Sequence, residues 1–272
     1  MEPWNTTTNY SVPRSLAAWP LKQLKKVLGS GEDPNAMWPA SLVGVHFRQL
    51  LTDAYVRQIC GDRVRSGPFE GMVYPLAGSG SLPSPKLLGS YEAELHPVFE
   101  DISRYRRFVD IGCDEGYYVV GAALRHPDLE VLGFDLNPDA QENCRRLASA
   151  NDVGDRIEVA GLCTPERLAD LAVADTLVLI DIEGAEVELL REAGGDALRA
   201  ADLVIEAHKV KNVSTTDTVI GLLQETHEIT VLPQTVRDPS AFPELLALSQ
   251  LQRFLSQWEG RGSDPWIFAR AR

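Results

Sequence analysis

From residue 108 onward, short apolar runs alternate with longer amphipathic stretches. The runs are Phe108–Ile111, Glu130–Phe134, Arg156–Ala160, Thr176–Ile182, Leu203–Ala207, Ile229–Leu232 and Trp266–Ala269. Between the first five lie segments with helical spacing: Tyr117–Arg125, Pro138–Ala150, Pro165–Ala172 and Glu186–Ala193. Short β-rich runs separated by helices of this length predict βαβ units and a mainly parallel sheet. Right-handed crossovers then place the helices on both faces. The expectation is a doubly wound α/β domain from about residue 100 to the end.

The earlier part of the chain lacks this rhythm. Residues 1–13 are polar, and Leu16–Leu28 has the makings of one helix. Met37–Ile59 is predicted helical, with Leu42, Val45, His46, Gln49, Leu50, Ala54 and Val56 near 3.6-residue spacing. After Gly67-Pro68 the piece FEGMVYPLA suits a strand or hairpin, and Gly78–Pro85 is a loop by composition. Tyr91–Arg107 is a further predicted helix, with Leu95, Val98, Phe99 and Ile102 on one side. The expected division is a mostly helical cap over 1–85 and the sheet domain over 86–272. Trp4, Trp19 and Trp38 give the cap apolar contacts of its own, which suits a lid, a substrate pocket or an arm that pairs two copies into a homodimer.

Composition narrows the class of protein. Apolar residues make up 44% of the 272 and charged residues 24%, ordinary for a soluble globular chain. No stretch approaches the ~18 consecutive apolar residues that cross a bilayer, so no membrane partner is expected. The first residues lack the basic start and apolar run of a secretory signal. Cys60, Cys113, Cys144 and Cys163 lie far apart with no CxxC pair, which disfavours a zinc cluster or a disulfide framework. A reducing cytoplasm is the expected setting. Acids exceed bases by 39 to 26, a net charge of −13 that repels a phosphate backbone. The densest basic clusters, Arg104-Arg106-Arg107 and Lys22-Lys25-Lys26, are short. The expected partner is a small molecule, not a nucleic acid.

In open α/β sheets, ligands bind beyond the carboxyl ends of the strands, so the informative residues follow each run. The first run leads into Val109-Asp110-Ile111-Gly112-Cys113-Asp114-Glu115-Gly116-Tyr117. Gly112 and Gly116 allow a sharp turn and close approach to a ligand. A dinucleotide loop needs glycine where this chain has Asp114, followed by Glu115. Two carboxylates there would repel a diphosphate and favour a ligand that carries an amine and no phosphate. The second run ends in Gly133-Phe134-Asp135-Leu136-Asn137-Pro138. Asp135 is placed to accept hydrogen bonds from both ribose hydroxyls, and Leu136 to press on an adenine. A phosphate-free nucleoside with an amine and a positive sulfonium is S-adenosylmethionine (SAM). Cys113 would touch it, and with no adjacent histidine its thiol is not expected to be a nucleophile. Tyr117 and Tyr118 either line the pocket or pack beneath it.

The motifs DIGCDEGYY, GFDLNP and DIEGAEVELL resemble the class I SAM-dependent methyltransferases, most nearly the FkbM-type group. The segment Lys86-Leu87-Leu88-Gly89-Ser90-Tyr91-Glu92 is similar to the stretch that precedes the glycine loop in such proteins. The likeness covers residues 86–210 well and the tail weakly, and 1–65 matches nothing. It implies a Rossmann-like, seven-stranded, mostly parallel sheet whose last strand is antiparallel, and methyl transfer, usually to oxygen. It also implies Tyr91, Glu92 and Asp114 near the cofactor and Asp110, Gly112 and Gly116 at its methionine part. Asp135 would then meet the ribose, and Cys163-Thr164 the adenine.

Two further strand ends carry candidate chemistry: Asp181-Ile182-Glu183-Gly184-Ala185-Glu186 and Glu206-Ala207-His208-Lys209. These ends should be neighbours beside the sulfonium, with Asp181 also touching cofactor. Alternation puts Asp181 with Glu183 and Glu206 with His208 on one side of each strand. In one reading Asp181, Glu206 and His208 bind a divalent cation (Mg²⁺, Mn²⁺ or Fe²⁺) that acidifies an acceptor hydroxyl. The metal-dependent catechol-type O-methyltransferases are similar in the position of such acids, and a histidine ligand favours Mn²⁺, Fe²⁺ or Zn²⁺ over Mg²⁺. In the other, His208 is the general base, oriented by Glu206 or Asp181, with an ordinary pKa of about 6.5. Glu183 and Glu186 are expected only to charge the first turn of the next helix. His96 falls near the cofactor, His46 in a core face, and His126 and His227 away from the site. The Lys209-Val210-Lys211-Asn212 loop and Arg261–Trp266 are candidates for an acceptor rim. The expected activity is O-methylation of a hydroxyl or carboxylate on a small metabolite. Its rivals are a non-catalytic SAM-binding or assembly module and a nicotinamide-dependent oxidoreductase, the latter disfavoured by Asp114 and Glu115.

Overall fold

The computed structural model describes residues 22, 25, 37–75, 81–211 and 213–272. The seven apolar runs form one sheet: β1 (Arg107–Ile111), β2 (Glu130–Phe134), β3 (Ile157–Ala160), β4 (Thr176–Ile180), β5 (Asp202–Glu206), β6 (His227–Leu232) and β7 (Trp266–Ala271). Their order is β3-β2-β1-β4-β5-β7-β6. Every pair is parallel except those of β7, which runs antiparallel to both β5 and β6. The chain winds outward from β1 to β3 and then returns to β4 on the other side of β1. This reversal opens a crevice beyond the carboxyl ends of β1 and β4.

Side-chain alternation builds a core on each face. On β4, Leu177 and Leu179 join one apolar cluster while Val178 and Ile180 join the other. Val204 and its neighbours Leu203 and Ile205 divide the same way on β5. Strands buried on both faces have no polar edge to show, which is why they read as unbroken apolar runs. Helices Tyr117–Arg125, Pro138–Ala150, Pro165–Leu171 and Glu186–Ala193 connect the first five strands. Asn137 and Thr164 cap two of them by accepting from the backbone N–H of Asp139 and Arg167, with proline in each first turn.

Three expectations before residue 107 are corrected. The helix expected over Tyr91–Arg107 is broken into Ala93–Leu95, His96–Glu100 and Ile102–Arg104. Glu92 takes a left-handed φ of 44°, and Pro97 begins a new helix because it has no N–H to continue an old one. Tyr105 is then extended, so that its hydroxyl reaches Asp202 Oδ2 at 2.6 Å. The described part of FEGMVYPLA, residues 69–75, forms no strand of its own but turns back on Asp62–Val64 through one antiparallel bridge between Arg63 and Val73. The loop expected to Pro85 gives way at Pro83 to a helix, Pro83–Leu88, whose prolines occupy the first turn. Most of the predicted helix over 16–28, residues 1–13, the start of the 78–85 loop and the side chains of Trp4, Trp19 and Trp38 lie outside the described residues. Helix Met37–Cys60 agrees with prediction and packs on Pro83–Leu88 and on Gln250–Gln257. Among the described residues no helix is long and apolar enough to cross a membrane.

Pro83–Leu88 is tied to the first glycine loop by a buried ion pair. Lys86 Nζ contacts Glu115 Oε1, which also accepts from the Tyr74 hydroxyl at 2.7 Å. Burial alone would raise the Glu115 pKa, but the Lys86 charge and the hydrogen bonds carry it down to about 2. Glu115 therefore points away from the ligand crevice, contrary to the expectation that both loop acids face it. A buried charge left without its partner is strongly destabilising, whereas replacing both by apolar groups is far less so. Lys86→Met is expected to lower unfolding free energy in urea by about 3 kcal/mol, with most of the loss recovered by adding Glu115→Leu.

Candidate active site

A cleft of about 630 Å³ lies beyond the carboxyl ends of β1, β2 and β4, within the range of about 300–1,000 Å³ usual for ligand pockets. Asp110, Gly112, Cys113 and Asp114 line it from the first loop, and Asp135 and Leu136 from the second. Cys163, Asp181 and Tyr91 complete the expected residues found there. Three others are placed elsewhere. Glu92 turns from the cleft to meet the Tyr118 hydroxyl and Arg261. Gly116 starts the helix at 117, where a β-carbon would lie 2.5 Å from Cys144 Sγ. Thr164 is occupied in capping Pro165–Leu171.

The cleft floor is set by one close approach. Gly112 has a φ of +92°, and a β-carbon there would sit 1.7 Å from the Asp181 carbonyl oxygen. Only glycine fits. Asp135 accepts from the backbone N–H of Asp114 at 2.9 Å and of Asn137 at 2.8 Å, which fixes its carboxylate at the rim of β2. Asp110 is only 1% exposed, and its Oδ1 has no hydrogen-bond partner among the described residues. Burial raises its pKa well above the usual carboxylate range, and the charges of Asp135 and Glu92 add to this. A cationic group placed there would reverse the penalty.

The tyrosine alternatives resolve into both at once. Tyr117 and Tyr118 line the cleft and are also packed: Tyr118 stacks on Phe99 at 4.7 Å and Tyr117 meets Phe69 edge-on at 5.3 Å. The Cys113 thiol is raised far above its ordinary pKa by a hydrogen bond with Cys144 and by burial, so it stays protonated. Burial pushes Cys163 up to about 11.

Past Asp181 the cleft meets the second group of candidates. Ligand atoms of Asp181, Glu206 and His208 all lie within 4.8 Å of one another. His208 Nε2 is 3.7 Å from Asp181, 3.6 Å from Glu206 and 3.6 Å from Glu183. Its other nitrogen, Nδ1, lies 2.8 Å from Glu186 Oε1. That same oxygen accepts from the backbone N–H of Ile182 at 3.1 Å and of Gly184 at 3.0 Å. Glu186 thus charges the helix start as expected, but it is also the group that orients His208, a part expected of Glu206 or Asp181. Because Glu186 holds the Nδ1 proton, Nε2 is the nitrogen presented to the cluster.

The charges are unevenly matched. Asp181 Oδ1 is buried without a hydrogen-bond partner among the described residues, and burial together with Glu206 and Glu92 raises its pKa. Burial also raises Glu206, partly offset by Arg261. Burial pulls the His208 pKa down, but the Glu186 hydrogen bond and the charges of Glu206 and Asp181 outweigh it and lift it to about 9. The expectation of a value near 6.5 is therefore corrected: four carboxylates surround this ring.

Arg261 was expected only as the start of a rim. It is a partner of the cluster, gripping Glu92 and Glu206 while lying over the Trp266 ring at 5.4 Å. The antiparallel course of β7 brings the residues before it to the sheet edge where β5 ends. Arg237 locks the neighbouring turn through Glu94 at 2.6 Å and Glu259 at 2.8 Å. Lys209 pairs with Asp264 at 3.3 Å, and Asn212 lies outside the described residues. His96 stands outside the cleft, near Gly67, with its pKa lowered by burial. His46 is half-buried in the long helix, His126 ends the helix at 125, and His227 is buried in β6 with Nε2 on the Ala201 carbonyl oxygen at 3.1 Å.

No family model matches the chain. A trans-aconitate 2-methyltransferase of Methylobacterium radiotolerans is 33% identical over 105 residues, which span 35% of this chain and 38% of that protein. Solved structures similar to this chain include a putative O-methyltransferase from Klebsiella pneumoniae, at a TM-score of 0.48 and 14% identity over 68% of this chain and 81% of that one. The O-methyltransferase TomG from Streptomyces achromogenes, solved in complex with SAM, has a TM-score of 0.44 and 14% identity over 82% and 89%. Cofactor-bound Rv0187 from MTB has a TM-score of 0.46 and 16% identity over the same shares. These likenesses concern the architecture, and what the site does rests on its own residues.

A histidine raised in the folded state contributes stability that is fully present below its unfolded pKa of about 6.5 and is lost as pH rises through about 9. An NMR titration of the metal-free protein should place His208 well above 6.5. Glu186→Gln should lower that midpoint and lower the melting temperature at pH 7. A native midpoint at or below the ordinary value would refute the arrangement.

Proposed function

We propose that the chain binds SAM in the cleft and transfers its methyl group to an oxygen of a small acceptor beside Asp181, Glu206 and His208. The observation that carries this is Asp110 Oδ1: a carboxylate oxygen buried on the cleft wall with no hydrogen-bond partner among the described residues, suited to an ammonium. Asp135 stands where hydroxyls of a sugar would be received, and Asp114 would make the loop hostile to a diphosphate. When bound, the sulfonium supplies an electrophilic methyl group, and the chain has to align an acceptor and manage one proton. Glu186 orients His208 with Nε2 toward Asp181 and Glu206, and Nε2 would receive that proton in the neutral form of the ring, whose share grows as pH rises toward about 9. The segment before residue 85 would serve as the cap over the acceptor.

Asp181, Glu206 and His208 also fit a divalent cation. Asp181 Oδ1 has no hydrogen-bond partner among the described residues, Glu206 keeps Oε2 while Oε1 stays on Arg261, and the neutral His208 ring offers Nε2. Such a cation would lower the pKa of an acceptor hydroxyl, and histidine in the set favours Mn²⁺ or Fe²⁺ over Mg²⁺. One observation favours a rival reading, a SAM-binding module without transfer. Arg261 already neutralises Glu206 and Glu92, so the cluster is closed by its own ion pairs.

Calorimetry and methyl labelling separate these readings. Native protein is expected to bind SAM, and Asp135→Ala to weaken it about tenfold or more, the cost of lost charge-assisted bonds. His208→Ala should retain SAM affinity yet stop transfer of labelled methyl to small molecules of a host extract. No SAM binding at millimolar concentration would end the proposal, and SAM binding with no labelled product from native protein would favour the binding module. Restoration of activity by Mn²⁺ after chelation would assign the cation.

A further inference from the structure

A second cleft, of about 340 Å³, lies between residues 234–239 and helix Gln250–Gln257, with Gly260 and Arg261 at its inner end. Arg261 belongs to both sites, since its guanidinium grips Glu92 and Glu206 at the reaction cluster. One wall is aromatic. Phe254 and Trp258 are stacked at 6.5 Å between centroids and remain 57% and 37% exposed. Large rings left open beside a functional site mark a place where another apolar surface is received.

The polar groups of this cleft are more specific. Gln257 is only 6% exposed, yet neither its Nε2 nor its Oε1 has a hydrogen-bond partner among the described residues. One turn earlier on the same helix face, Arg253 has its Nε buried without a partner, and no carboxylate among the described residues pairs with it. The other two arginines of the cleft are matched, Arg237 by Glu94 and Glu259, and Arg261 by Glu92 and Glu206. In a chain with a net charge of −13, a guanidinium that pairs with no acid of the described residues while lining a cleft is suited to an external anion. The unpaired amide of Gln257 adds one donor and one acceptor four residues away.

We propose that this cleft is the acceptor subsite and that it takes a planar ring bearing a carboxylate. The ring lies on Phe254 and Trp258, the carboxylate meets Arg253, and a hydroxyl or carbonyl of the ligand meets Gln257. Its role as acceptor subsite rests on the methyl-transfer reading of the adjoining cluster, whereas its binding preference stands independently.

The test uses 4-hydroxybenzoate and phenol as probes, which differ by the carboxylate alone. Each is titrated by saturation-transfer NMR into the full chain at low salt, with and without saturating S-adenosylhomocysteine to block the larger cleft. The expected result is about tenfold tighter binding of 4-hydroxybenzoate in both conditions, as for one charge-assisted contact. Arg253→Gln should abolish that preference while leaving SAM affinity and melting temperature unchanged, and Trp258→Ala should weaken both probes together. Equal binding of the two probes to native protein, absence of binding, or a preference that survives Arg253→Gln would overturn the proposal. A carboxylate preference that depends on Arg253, in a native protein that fails to bind SAM, would keep the subsite and overturn the methyl-transfer reading instead.

Discussion

The contact between Gly112 and the Asp181 carbonyl oxygen governs the site. β1 and β4 are neighbours in the sheet although two other strands are threaded between them in the chain. Their following loops consequently leave the sheet side by side and must turn apart. They can do so only because residue 112 has no β-carbon and adopts a positive φ. Every feature of the crevice follows from that separation. Asp110 stays buried under the first loop, Asp181 is set at the second, and the cleft between them reaches the β2 edge and Asp135.

The second constraint is electrostatic. Glu92, Asp181, Glu183, Glu186 and Glu206 converge on His208 and Arg261. In a partly buried setting such charges interact far more strongly than in water, so the two cations are held by several acids at once. Arg261 is anchored to Glu92 on one side and Glu206 on the other, which couples the stretch before β1 to the end of β5. Acids remain in excess even so, and they add to the burial that raises the pKa values of Asp181 and Glu206. A cationic ligand or ion entering the crevice would meet a site already short of positive charge.

The strands and connecting helices were legible because their signals are local. Burial on both faces requires apolar runs, and Asn137-Pro138 and Thr164-Pro165 announce helix starts by cap chemistry that needs no distant partner. The convergence of Asp181, Glu206 and His208 followed from parallel neighbours ending at one edge. What was not legible depends on contacts between segments far apart in sequence. Glu186 looks like any acid in a first helical turn until His208 is seen across from it, 22 residues later. Arg261 lies 169 residues from Glu92, and nothing near either names the other. Glu115 seemed to face the ligand because its inward partner, Lys86, approaches from the preceding helix. The broken helix after Tyr91 was hidden by a correct apolar spacing, which persists through short helical pieces even where Pro97 divides them.

Topology also separates the segment between β6 and β7 from the cleft beyond β1, β2 and β4. The first four strands run parallel, so their loops are held at both ends by crossover helices. β6 and β7 are antiparallel, and the segment joining them, residues 233–265, is released from the sheet at the edge where β5 ends. It supplies Arg237, the Gln250–Gln257 helix and Arg261, all on one side of the cluster. It is held to the rest of the chain by the packing of Gln250–Gln257 on Met37–Cys60, by Leu245 and Leu248 in the core, and by Arg237 and Arg261, whose partners Glu94 and Glu92 lie just before β1. Apolar packing and two arginines thus fix the position of an insertion whose outer surface bears no part in closing the sheet. Side chains on that surface, Phe254 and Arg253 among them, are free to answer to a ligand without disturbing Gly112, Asp110 or Asp135.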